Sequence, residues 1–150
     1  MPDDVETLAA AISGIIGGLL VAGRRGAPAE GRLPFNPLYF HMLRRLAEAP
    51  RRPSEIADAL GVSRTTLSTA ARALGSRGLV AREPDPDDAR AVRLSLTAEG
   101  AEVVAAIRRQ DRRNAEAMLA LLPEAERKGF VAAAARIAAG LAKDDKGGRS

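Results

Sequence analysis

Two short stretches carry side chains whose types and spacing suit binding rather than catalysis. Residues 63–76 read SRTTLSTAARALGS. Leu67, Ala70, Ala71 and Leu74 fall at i, i+3, i+4 and i+7, the pattern of a helix with one apolar stripe. With about 100° of turn per residue, the opposite side carries Thr65, Ser68, Thr69, Arg72 and Ser76, with Arg64 on a flank. Ser63 suits the N-cap, where a hydroxyl accepts from the free amides of the first turn, and Thr66 follows within that turn. This face has no acid and no large apolar group. Hydroxyls and guanidinium groups of this kind hydrogen-bond to base edges and phosphates in a major groove, which is wide enough to admit a helix. The second stretch is Asp88-Ala89-Arg90, set in a segment rich in Pro and Asp.

Chemistry of other kinds has little to work with. The chain has one His and no Cys. Disulfides, thiolate redox sensing and Cys-ligated zinc are excluded, and a lone His41 makes no metal site. There is no nucleophile–base pair, no ligand cluster and no Gly-rich phosphate loop after a strand, so neither an enzyme nor a cofactor is expected.

The elements that must position these residues can be read around them. Ile56, Ala57 and Leu60 give a short preceding helix, with Ser54 expected as its N-cap and Gly61 as its end. Gly61-Val62-Ser63 is then the turn of a helix-turn-helix. Gly78 ends the second helix, because a left-handed residue after a helix costs little only for Gly. Residues 79–82 and 92–96 alternate like strands, with Val92, Leu94 and Leu96 on one face and Arg93 and Ser95 on the other. Residues 84–88, Pro-Asp-Pro-Asp-Asp, have turn chemistry. The spacing therefore predicts a β-hairpin wing beside the second helix.

The run from Gly61 to Gly100 resembles the MarR-type winged helix-turn-helix transcriptional regulators. The likeness extends from about Pro37 to Gly100. Its most specific parts are Gly78-Leu79-Val80, Asp88-x-Arg90 and Leu96-Thr97-x-x-Gly100. The resemblance implies a homodimeric regulator, expected to be a repressor, that binds a pseudo-palindromic operator in double-stranded DNA and is released by a small aromatic effector or another signal. It implies that Arg90 enters the minor groove and that Asp88 orients it. The DNA-binding set is then Ser63, Arg64, Thr65, Thr66, Ser68, Thr69, Arg72, Asp88 and Arg90. Many members carry a basic residue where this chain has Thr69 and an acidic one where it has Arg72, so no operator sequence carries over. A second reading from a different class is a winged-helix module for protein–protein assembly with no operator. The arginine-bearing face of the second helix argues against it.

Composition agrees with a nucleic-acid partner. Net charge is +4, from 23 Lys and Arg against 19 acids. The segment from His41 to Arg82 holds eight Arg against three acids, Glu48, Glu55 and Asp58. The positive field is thus concentrated on the expected DNA-binding lobe.

Outside that lobe, residues 1–23 read as an apolar helix with Leu8, Ile12, Ile15, Ile16, Leu19 and Leu20 at helical spacing. Its apolar run of about sixteen residues is shorter than the ~20 that span a bilayer, and its leader is acidic where a signal peptide is basic. A cytoplasmic location with no membrane partner is expected. Gly14, Gly17 and Gly18 permit close approach by another helix, best supplied by a second subunit. Residues 24–37 read as a loop. A helix over 39–49 points Leu38, Met42, Leu43 and Leu46 inward. Phe35, Tyr39 and His41 are candidates for an effector pocket, weighed against ordinary packing. Thr97 caps a helix reaching to about residue 122, whose basic run Arg108, Arg109, Arg112 and Arg113 reads as a solvated face paired with Asp111 and Glu116. Pro123 begins a last, Ala-rich helix at its first position.

The expected architecture is mainly α with a small β-hairpin wing. Residues 1–36 are an N-terminal dimerisation helix and loop, and 37–97 a winged helix-turn-helix lobe. Residues 98–143 are C-terminal dimerisation helices, and 144–150 a disordered tail.

Overall fold

The computed structural model describes residues 2–26 and 36–147. The order is α1 (Pro2–Gly26), α2 (Pro37–Glu48), α3 (Pro53–Leu60), α4 (Arg64–Ser76), β1 (Val80–Asp85), β2 (Asp88–Leu96), α5 (Ala98–Ala120) and α6 (Glu124–Gly147). The chain divides into two units, Met1–Asp111 and Arg112–Ser150.

In the first unit a small core gathers one apolar side of each element except α1. It holds Met42, Leu43 and Leu46 of α2, and Ile56 and Ala57 of α3. The whole expected stripe of α4, Leu67, Ala70, Ala71 and Leu74, is buried there with Leu79, Val80, Leu94, Val103 and Val104. Leu60 is only half-buried at its edge. The helix-turn-helix turns where expected: Gly61 adopts φ 65° at the end of α3, and Ser63 caps α4. After α4, Gly78 at φ 70° lets its own N–H reach the Gly75 carbonyl (2.9 Å) and the Leu79 N–H reach the Leu74 carbonyl (3.0 Å). That closes the helix and drops Leu79 back into the core.

Several boundaries differ from the sequence expectation. Ser54 is not the N-cap of α3. Pro53 is the first helical residue, so Arg52 takes the cap position, and its N–H is satisfied by the Glu55 carboxylate at 2.9 Å. α2 starts at Pro37 for the same reason, behind an Asn36 side chain that accepts the Leu38 N–H at 3.0 Å. The strands run further than residues 82 and 92, and Pro84, Asp85 and Asp88 lie within them. The turn proper is Pro86-Asp87. Pro84 is tolerated because a two-stranded ribbon leaves each strand an open edge. α1 continues through Arg24 and Arg25 to Gly26, and residues 27–35 of the expected loop lie outside the described residues. Pro123 precedes α6 rather than standing first in it. The tail expected from residue 144 is helical as far as Gly147. Residues 148–150 lie outside the described residues.

A second contact joins the hairpin to the segment between α2 and α3. Arg51 and Leu94 exchange both backbone hydrogen bonds, at 3.0 and 2.8 Å. The Leu96-Thr97-x-x-Gly100 motif makes a third. The Thr97 Oγ1 accepts the Gly100 N–H (3.0 Å) and donates to the Gly78 carbonyl (2.5 Å), while the Thr97 N–H donates to the Leu79 carbonyl (3.2 Å). Thr97 is the cap of α5, as expected, and also fastens it to the turn after α4. A methyl group on Gly100 would sit 2.1 Å from the Leu79 carbonyl oxygen, a contact with backbone that no rotamer relieves. Gly100→Ala should therefore destabilise the lobe by about 3 kcal/mol, the upper part of the overpacking range. Urea denaturation measures it, and wild-type stability would mean that α5 can move away without loss.

Candidate nucleic-acid interface

The side of α4 opposite its buried stripe is open. Arg64, Thr65, Thr66, Thr69, Arg72 and Ser76 are exposed and Ser68 half-exposed. Their hydrogen bonds divide them. Ser63 Oγ accepts the Thr66 N–H at 3.0 Å and shares a hydrogen bond with Thr66 Oγ1 at 2.8 Å, so these two hydroxyls close the helix start. Thr69 Oγ1 donates to the Thr65 carbonyl (3.0 Å) and Ser76 Oγ to the Arg72 carbonyl (2.9 Å). The protons of both hydroxyls are thus used within the helix, and their oxygens remain as acceptors. Arg64 and Arg72 have no ion-pair partner among the described residues.

The wing presents Arg90 by an irregularity in its ladder. Pairing is regular from Val80↔Leu96 to Pro84↔Val92, then jumps to Asp85↔Asp88. Ala89, Arg90 and Ala91 are left over on β2 without partners in the register. Asp88 Oδ1 accepts the Arg90 backbone N–H at 3.0 Å, so it shapes the backbone under the arginine. The Arg90 side chain is exposed.

Sequence reasoning missed two groups here. Arg82 borders, with Arg72, Gly75 and Ser76, a depression of about 480 Å³ between α4 and the hairpin. Strand alternation could have found it, because Arg82 shares a face with Val80 and pairs with Leu94. The other is Asp85, a carboxylate only 8% exposed. Its Oδ2 accepts from Arg52 Nε at 2.6 Å and its Oδ1 from the Asp87 N–H at 2.9 Å. No local signal marks a partner 33 residues away.

The candidate effector residues are not assembled. Tyr39 packs half-buried against the core, while His41, two positions on along α2, is exposed. That spacing puts them on nearly opposite sides of a helix. Phe35 lies outside the described residues. On α5 the basic run is paired differently from expectation. Arg112 meets Glu116 at 2.9 Å, but Asp111 pairs with Arg44 of α2. Among the described residues no group of His, Asp and Glu is placed to hold a metal, and no helix is long and apolar enough to cross a membrane.

Residues 33–91 match the model of the MarR family. That stretch, from before α2 to the wing, is similar to the MarR family of winged helix-turn-helix proteins. Solved structures agree over nearly the whole length. A crystal structure of MarR is 26% identical, with a TM-score of 0.71 and 91% of each chain covered. The YusO protein from Bacillus subtilis is 26% identical, with a TM-score of 0.69, covering 95% of this chain and 94% of that one. Streptococcus pneumoniae FabT, solved in complex with DNA, shares the fold with a TM-score of 0.75 at 20% identity, covering 91% and 96%. No curated protein sequence matches significantly.

In this lobe the Arg52 guanidinium holds the Asp85 carboxyl below the usual range, chiefly by its hydrogen bond, and the Asp87 N–H adds to the effect against the cost of burial. Arg52 is raised by the same partner. A carboxylate with a lowered folded pKa contributes stability above its unfolded value, about 3.9, and loses it as pH falls through the folded value. Its stabilising effect should therefore be full from neutrality down to about pH 4 and be lost progressively below that, as pH falls through the lowered folded value. Asp85→Asn should lower stability at pH 7 and flatten its decline below about pH 4. An acid limb identical to wild type would show that Asp85 contributes nothing to it.

Proposed function

We propose that this chain is a homodimeric, sequence-specific DNA-binding transcriptional regulator. α4 enters the major groove and Arg90 the adjacent minor groove of a pseudo-palindromic operator. The reading is supported chiefly by one observation: the polar, arginine-bearing face of α4 is open to solvent while its apolar stripe is buried. Such a face supplies Arg64 and Arg72 to phosphates or guanine, and Thr65, Ser68 and Thr69 to base edges. Ser63 and Thr66 hold the helix start at the groove. Arg82 adds positive charge beside Arg72.

Dimerisation is supported by apolar side chains that the single chain leaves uncovered. On α1 these are Val5, Leu8, Ile12, Ile15 and Ile16, exposed by 41–68%. On α6 Phe130, Val131 and Ile137 are exposed too. A second copy covers such surface without new chemistry, and two-fold symmetry spaces two recognition helices by ~34 Å, one turn of DNA. Repression, and release by a small aromatic effector, rest on likeness to the family.

Arg90→Ala should weaken operator binding on the order of tenfold, the scale of a lost charged hydrogen bond. Arg72→Ala should reduce the slope of log K against log salt by about one. Gel shifts on the DNA upstream of the chain's own gene, at two salt concentrations, read both. Absence of retention at either salt would favour the protein-assembly reading. Ile12→Asp combined with Ile16→Asp should convert a dimer to monomer in sedimentation. An unchanged sedimentation coefficient would remove α1 from the interface.

A further inference from the structure

The wing is a weak device taken alone. A two-stranded ribbon is marginally stable by itself, and this one loses its regular ladder just where Arg90 is carried. Its position relative to α4 must come from elsewhere. Thr97 and the Arg51–Leu94 bridge secure the base of the ribbon. Beyond Leu94, Arg52 at the N-terminus of α3 donates a side-chain hydrogen bond to the tip from another element.

We infer that Arg52 is a positioning residue that sets the reach of Arg90 by gripping Asp85 at the root of the wing tip. The chain of contacts is short. Arg52 Nε donates to Asp85 Oδ2, and Asp85 Oδ1 accepts the Asp87 N–H inside the turn. Asp85 is also the residue paired with Asp88 where the ladder shifts, and Asp88 accepts the Arg90 N–H. Three carboxylate–donor contacts thus connect α3 to the backbone of Arg90. Other groups near the pair do not compete for it. Arg93 borders the same small concavity, but its Nε donates to Glu83, and Glu55 accepts the Arg52 backbone N–H. α3 in turn packs against α4. The separation between the α4 face and Arg90, which must match one major and one neighbouring minor groove, is therefore held through Arg52. This rests on the DNA-binding reading above, and it gives Arg52 a role without DNA contact.

The test has two arms. Hydrogen exchange on the free full-length chain should show the Asp87 and Arg90 amides exchanging on the order of tenfold faster in Arg52→Gln, with α4 amides unchanged. Arg52→Lys, which keeps the charge, should recover part of that protection. In a double-mutant cycle on operator DNA, Arg52→Gln should cost on the order of tenfold in affinity with Arg90 present and little in Arg90→Ala. Additive losses, with a salt slope lowered in both backgrounds, would make Arg52 a phosphate contact and overturn the inference. Unchanged exchange at Asp87 and Arg90 would overturn it too. If wild-type protein retains no DNA, the function proposed above fails, and the exchange arm alone decides whether Arg52 holds the tip.

Discussion

The burial of one stripe on α4 governs everything this lobe presents to its surroundings. Leu67, Ala70, Ala71 and Leu74 are four small or medium side chains, and together they lock the rotation of the helix about its axis. With that rotation set, Arg64, Thr65, Thr69 and Arg72 have nowhere to point but outward. Two alanines in the stripe bring α4 close to its neighbours, so a core with few aromatics still closes around it. The polar face thus follows from the apolar one. No hydrogen bond from another element is needed to aim it.

The hairpin depends on the same core for its root and on separate polar ties for its length. Leu79, Val80 and Leu94 are buried, but Val92, further along, is already 41% exposed. Apolar burial therefore ends about midway along the ribbon. At that point Arg51 pairs with Leu94, and beyond it Arg52 with Asp85 holds the ribbon to the rest of the lobe, while Glu83 with Arg93 ties its two strands together. Such contacts are directional, whereas apolar burial is not. That difference suits an element that must hold one exposed arginine at a defined place.

The terminal helices show the opposite imbalance. α1 and α6 carry apolar residues at helical spacing, yet Ile16 is 53% and Ile137 60% exposed. In a lone helix, Gly14, Gly17 and Gly18 only weaken the structure. Nothing within 4 Å of any of the three would obstruct a side chain, so crowding inside this chain does not explain them. This glycine-bearing apolar face, left uncovered by its own chain, is what supports the proposed dimer.

Much of this was legible from residue order, because it depends on local periodicity. The 3.6-residue spacing marks both the stripe and the polar face of α4. Gly61 and Gly78 mark helix ends, since only Gly takes a positive φ cheaply, and Thr97 marks the start of α5. Helix starts shifted where Pro53 and Pro37 could serve as first residues, a local effect that a serine-based expectation overlooked. What residue order could not supply were contacts between distant positions. Asp85 looked like one more turn aspartate until Arg52 was brought against it from 33 residues away. Gly100 looked like part of a motif until the Leu79 carbonyl occupied the space of its missing side chain. The sequence by itself determined which side of each helix is apolar, because that depends only on spacing along one chain. Which polar groups meet, and how far the wing stands from α4, was decided by the tertiary structure alone, because packing sets the distances between elements.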